Sequence, residues 1–151
     1  TPHAQGGIVY KGIEDSAKEL KGDIIKAGAG HCWNEAVDHL CKHGPPLVKK
    51  ILIDTLNTKF DRDEKKYNRV SEGAHSTPRV IYKADKTGKS IHESALKYLQ
   101  SLNNVEILTN HIAIDLLTFS HHSTVSTDIY KKPACFGAMV LNNNNNRVKY
   151  A

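Results

Sequence analysis

Long hydrophobic runs are missing from this sequence. Nowhere in its 151 residues does an apolar stretch approach the roughly 20 residues of a membrane-spanning helix, which excludes a helical membrane protein. Cysteine is scarce. Cys32, Cys41 and Cys135 are too few, and odd in number, for a disulfide framework, so a reducing, cytoplasmic setting is expected. No charged-then-apolar leader opens the chain, so no secretory signal is expected. Aromatic residues make up 7%, and the 21 Lys and Arg stand singly or in pairs. The net charge of +5 therefore reads as a solvated surface and not as a nucleic-acid-binding stripe. What remains is a globular composition, 39% hydrophobic and 25% charged, with length enough for one core.

Ala17, Leu20, Ile24 and Ile25 fall at helical spacing within 16–26, and Gly28 and Gly30 stop that helix. Asn34 is expected to cap a second helix running to about His43. Pro45-Pro46 should break it and start a third, with Leu47, Val48, Ile51, Leu52 and Leu56 on one side. Residues 57–68 are polar and turn-rich, 71–78 form a loop, and Val80-Ile81-Tyr82 reads as a short strand. Thr87 is expected to cap a fourth helix carrying Ile91, Ala95, Leu96, Leu99 and Leu102. Residues 105–108 and 112–119 read as strands and 121–132 as a polar loop. A final hairpin, 135–141 with 147–150, surrounds the Asn142 to Asn146 run. Helices come first and strands dominate the end, which predicts an α/β chain of α+β character.

Several motifs fail on their own chemistry. Gly28-Ala29-Gly30 opens like a dinucleotide fingerprint, but the third glycine position holds Trp33 and the segment follows a helix. Thr87-Gly88-Lys89-Ser90 ends like a P-loop, yet Lys83 stands where its first glycine belongs. Cys32, His39, Cys41 and His43 match no usual zinc spacing, so no metal is expected. His121-His122 sits in a polar loop. The stretch Ser71-Glu72-Gly73-Ala74-His75-Ser76 differs from these. It sets a carboxylate and an imidazole three residues apart among small residues, where a carboxylate can hold an ammonium and an imidazole can donate to a carboxylate.

Several segments then line up in order with one family. Ala4-Gln5-Gly6-Gly7-Ile8, Ala27-Gly28-Ala29-Gly30 followed by Cys32 and Ala36-Val37, and Phe60-Asp61-Arg62 all match. So do Glu72-Gly73-Ala74-His75-Ser76, Arg79, Ala84-Asp85-Lys86-Thr87-Gly88 and Ile112-Ala113-Ile114-Asp115-Leu116. Together they resemble the L-aspartate oxidases, relatives of the succinate dehydrogenase and fumarate reductase flavoproteins. The match runs at least to Leu116 and loosely through the Gly137 hairpin.

The resemblance implies that residues 1–151 are part of an FAD-binding domain. It also implies that the complete enzyme oxidises L-aspartate to iminoaspartate for NAD synthesis, with oxygen or fumarate taking the electrons. It places Thr1, Ala4, Gln5, Gly6 and Gly7 against the flavin, with Ala113 at the adenine end. Glu72 would orient the substrate ammonium, with His75, Ser76 and Gln5 close by. Glu72 also discriminates within the superfamily. A carboxylate beside a ligand is costly unless it meets a cation, so glutamate favours an amino acid over succinate. Departures are Ser71 for the family arginine, Ala74 for a glycine, Tyr82 for a histidine, and Pro78. The family's Gly-rich FAD-pyrophosphate unit, capping domain and proton-carrying arginines have no counterpart here. The chain alone is therefore expected to be inactive, with apolar faces left for an oligomer or partner chain to cover. A fumarate reductase or succinate dehydrogenase fragment and a non-catalytic interaction module are the competing readings.

Overall fold

The computed structural model describes residues 3–150. They form two compact units, one ending at Val105 and the other beginning at Glu106. Both combine helices with antiparallel strands, so the chain is α+β.

The first unit is organised around a short antiparallel sheet. Strand β1 (Ile8–Val9) and β4 (Arg69–Val70) flank β5 (Val80–Ile81), with Ile8 and Arg69 both opposite Ile81. Val80 and Ile81 are β-branched and buried, as a central strand demands. The small hairpin of β2 (Arg62–Asp63) and β3 (Lys66–Tyr67) lies in the stretch expected to be a loop. It is only two residues per strand, too short for an alternating pattern to register.

Helix α1 (Ala17–Ala27) forms where its periodicity placed it. Ser16 accepts from the Glu19 amide at 3.2 Å while the Glu19 carboxylate accepts from the Ser16 amide at 2.9 Å, a complete capping box. Its buried Leu20 packs with Val37 and Cys41 of α2 (Asn34–Leu47).

Two expectations for α2 are corrected. Asn34 is already helical, and the cap position is Trp33, which makes no side-chain capping bond. Pro45-Pro46 does not break the helix. Each proline keeps a helical φ and removes only one donor. The helix runs on to Leu47 and then directly into a π-helical segment, Val48–Thr55, closed by a 2.9 Å bond from the Leu56 amide to the Ile51 carbonyl.

Helix α3 (Thr87–Gln100) begins differently from expectation too. Thr87 lies inside its first turn, and its buried hydroxyl accepts from the Lys83 amide at 2.9 Å. The helix end is closed from a distance instead, with the Gly88 amide donating to the Ala4 carbonyl at 3.0 Å.

In the second unit, β6 (His111–Thr118), β7 (Cys135–Asn142) and β8 (Arg147–Tyr150) form an antiparallel sheet in that order. Bulges interrupt the β6–β7 pairing between Ala113 and Asp115 and between Leu117 and Thr118. The Asn run makes the tip of the final hairpin, as the sequence suggested. The expected loop 121–132 instead contains the end of α4 (Phe119–His122) and a 3-10 turn, Ser126–Tyr130. Residues 105–108 form no strand, because no described segment pairs with them. Ile112, Ile114 and Leu116 of β6 are 51%, 53% and 58% exposed. No helix among the described residues is long and apolar enough to cross a membrane.

Candidate functional site

The loop 71–78 and the Ala4–Gly7 segment meet in the first unit. β1 lies on β5, and the sheet is only two residues long, so the segment before Ile8 and the loop before Val80 stay within side-chain reach although they leave opposite ends of the pairing. A Cβ built on Gly6 would lie 3.5 Å from Glu72 Oε2, so the Glu72 carboxylate sits against the glycine turn. Gly7 has a different reason to be glycine. A Cβ there would meet Val80 Cγ1 at 2.3 Å and the Ile81 carbonyl oxygen at 2.6 Å. Gly7 is thus set by packing on β5, whereas Gly6 and Gln5 are exposed. Among the described residues no acceptor pairs with the Gln5 or Gly6 amides. Exposed, unpaired amide donors beside a carboxylate suit the polar edge of a flavin ring or an anionic ligand group. The residues present therefore fit the cofactor that the resemblance implies.

Beneath the loop lies a buried ionic cluster. Arg79 is fully buried at the head of β5. Its Nε and Nη2 donate to the two oxygens of Asp15 at 2.9 and 2.8 Å, a bidentate fork. Its Nη1 donates to Asp23 of α1 and lies 3.1 Å from His75 Nδ1. Asp23 Oδ2 also accepts from the Ser76 amide at 2.8 Å and the Ser76 hydroxyl at 2.9 Å. His75 in turn donates its amide to the Glu72 carbonyl at 3.3 Å, and Gly73 between them takes a φ of +57°. The Glu72–Ser76 turn is therefore held from below by two carboxylates and one guanidinium.

The same contacts set the charges. The Ser76 amide, followed by the Arg79 guanidinium, holds the Asp23 carboxyl at a pKa of about 2. Burial pushes Asp15 upward, but the Arg79 hydrogen bonds and the Gly12 amide together outweigh it and leave it below the usual carboxylate value. The Asp15 fork, against a smaller opposing effect of burial, raises Arg79. Both acids bind fewer protons folded than unfolded as pH falls below about 4, so stability rises with pH in that range. The stabilisation is complete above the unfolded carboxylate pKa and lost as pH falls through about 2. Urea unfolding midpoints measured across this acid window should fall steeply for the native chain and more shallowly for Asp23→Asn.

A second anchor ties two further matched segments. Asp61 accepts from Lys83 Nζ at 2.5 Å and from the Ala84 amide at 2.7 Å, and Lys83 chiefly lowers its pKa. The turn that follows needs this support, since Ala84 has a φ of +40°.

The structure thus gathers Gln5, Gly6, Gly7, Glu72, His75 and Ser76. Ala4 contributes its carbonyl to α3. Thr1 lies outside the described residues, and Ala113 stands on β6 in the other unit, opposite Val140. Of the Cys/His set, the His39 and His43 rings lie 4.5 Å apart, tilted by 41°, while Cys41 is buried in the core and Cys32 donates its thiol to the Ile24 carbonyl at 3.6 Å. Sequence reasoning passed over Asp15 and Asp23 and gave Arg79 no role. An arginine directly before the apolar run Val80-Ile81 was the signal available.

The family described as FAD binding domain matches residues 2–151. The chain is 37% identical to the L-aspartate oxidase of Halobacterium salinarum over 118 residues, covering 78% of this chain and 23% of that protein. It is 38% identical to the Synechocystis L-aspartate oxidase over 114 residues, covering 75% and 20%. The chain therefore spans about a fifth of the length of these relatives. Among solved structures, a variant of the E. coli quinol fumarate reductase FrdA superposes with a TM-score of 0.74 at 19% identity, covering 93% of this chain and 22% of that one. Mycobacterium smegmatis Sdh1 gives 0.73 at 18%, covering 93% and 24%. These two share the fold.

Proposed function

Since the chain belongs to the FAD-binding-domain family, whose cofactor is FAD, we propose that it is part of an FAD-dependent L-aspartate oxidase. The complete protein would convert L-aspartate to iminoaspartate in NAD biosynthesis, in the cytoplasm, with oxygen or fumarate as the final acceptor. The observation that carries this reading is the Glu72 carboxylate set against the Gly6 turn, 3.5 Å from where a Cβ would stand. The names of the relatives above support it.

FAD, when bound, supplies the acceptor for the two electrons that leave the substrate as a hydride. The chain's own residues supply recognition. Glu72 accepts hydrogen bonds from the substrate ammonium, a contact strengthened by charge on both sides. The Gln5 and Gly6 amides donate to the flavin edge or to a substrate carboxylate. Asp23 and Arg79 hold the turn that carries Glu72, so the carboxylate arrives already oriented and its entropy of ordering is spent in folding. In this reading Thr1, Ala4 and Gly7 serve the flavin, Ala113 serves the adenine end of FAD, and His75 and Ser76 serve the substrate.

Fumarate reductase and Sdh1 share the fold, but a dicarboxylate without an ammonium gives Glu72 no cation to meet. The test is Glu72→Gln in the complete enzyme. The loss of one charged hydrogen bond, about 1.5–3 kcal/mol, should raise KM for L-aspartate roughly tenfold to a hundredfold. Fumarate reduction by the same variant should change little. An unchanged KM for aspartate would remove the basis of the assignment.

A further inference from the structure

We infer that Arg79 fixes His75 as the tautomer with its proton on Nε2, making it a one-proton donor to an acceptor atom of the ligand. Arg79 Nη1 lies 3.1 Å from His75 Nδ1. A guanidinium has five N–H groups, no acceptor, and keeps its protons in proteins. Nδ1 must therefore present its lone pair, and the proton of the neutral ring sits on Nε2. The other tautomer would set N–H against N–H at that distance.

The lock works because Arg79 cannot yield. Its side chain is fully buried, Asp15 grips it with two bonds of 2.9 and 2.8 Å, and Asp23 takes the same Nη1 that faces His75. The imidazole is the adaptable partner. Its backbone is fixed as well, through the Glu72 carbonyl before it and the Ser76 bonds to Asp23 after it. Among the described residues Nε2 has no hydrogen-bond partner, and it is not a buried orphan. His75 borders a cavity of about 470 Å³ whose other walls include Gly7, Ile8, Leu20 and Ile24. In such apolar surroundings a single N–H of fixed position selects for a ligand acceptor. That the acceptor is a substrate carboxylate oxygen rests on the L-aspartate reading. The tautomer does not, so Arg79 acts as a positioning residue, working through His75.

Long-range proton–nitrogen NMR of the nitrogen-15-labelled chain tests this, recorded where the ring is neutral, with the His75 signals assigned from a His75→Gln spectrum. The result expected is a pyridine-like Nδ1 and a protonated Nε2, favoured by about tenfold or more, the preference of one hydrogen bond over an unmatched donor. A protonated Nδ1, or the mixed tautomers of an unconstrained ring, overturns the inference. The unsubstituted chain is read first, so the outcome does not hang on any variant's folding. Arg79→Lys keeps the charge but loses the fork. Its His75 should drift toward mixed tautomers, and an unchanged single tautomer in a folded Arg79→Lys chain overturns the role of Arg79. A complete enzyme that fails to oxidise L-aspartate would overturn the substrate reading and move none of these signals.

Discussion

Arg79→Leu is expected to destabilise the chain by about 3–5 kcal/mol, the cost of removing one member of a buried ion pair. The size follows from what is left behind. Asp15 is 4% exposed and Asp23 13%, and both would remain as carboxylates without their cation. Turning toward water would cost each its other bonds, since Asp15 also accepts from the Gly12 amide at 3.0 Å and Asp23 from Ser76. A domain of this size has only about 5–15 kcal/mol in total, so the substitution should bring it near the edge of folding. Adding Asp15→Asn to Arg79→Leu should recover part of the loss, because the neutral amide tolerates burial better than an unpaired charge. Urea unfolding of the three chains decides the matter. A loss below about 1 kcal/mol for Arg79→Leu would place the cluster with ordinary surface pairs and mean that it does not hold the Glu72–Ser76 turn.

How much of this could be seen in the sequence depends on the range of the interaction concerned. Helix α1 was legible because Ala17, Leu20, Ile24 and Ile25 repeat at its own period and Ser16 closes its start within three residues. The final hairpin was legible for the same reason, with both strands beside their turn. Pro45-Pro46 misled because local propensity marks a stop there, while α2 packs through Val37 and Cys41 and carries both prolines inside it. Thr87 misled because its hydroxyl was claimed by Lys83, four residues back, and not by its own helix. Residues 105–108 have strand-like composition, but a strand exists only with a partner. The site divides along the same line. Gln5, Gly6, Glu72, His75 and Ser76 were singled out by their local pattern and its family resemblance. The cluster that holds them was not, since Arg79 reaches Asp15 across 64 residues and Asp23 across 56.

Glycine substitutions separate what the fold requires from what the ligand requires. Gly7→Ala is expected to cost about 1–3 kcal/mol or more, the penalty of overfilling a packed site. The added carbon would stand 2.3 Å from Val80 Cγ1 and 2.6 Å from the Ile81 carbonyl oxygen. The valine can rotate, but the carbonyl belongs to the central strand and cannot retreat without loosening the β1–β5 register. The same change at Gly6 meets nothing nearer than Glu72 Oε2 at 3.5 Å, an ordinary contact. Gly6→Ala should therefore leave stability within about 0.5 kcal/mol of the native chain, as substitutions away from packed features do. If the proposed site is right, in the complete protein it should still weaken flavin or substrate binding, because the added methyl group would stand beside the free amides assigned to the ligand. Gly22→Ala provides the opposite sign. It lies inside α1 with nothing beyond its own helix backbone and chain neighbours within 4 Å of its added carbon, so it should stabilise by about 0.5–1 kcal/mol through helix propensity. Thermal unfolding of the three variants gives the order Gly22→Ala, Gly6→Ala, Gly7→Ala from most to least stable. A Gly7→Ala chain as stable as Gly6→Ala would mean that the Ala4–Gly7 segment does not lie against β5, and the meeting of that segment with Glu72 would go with it.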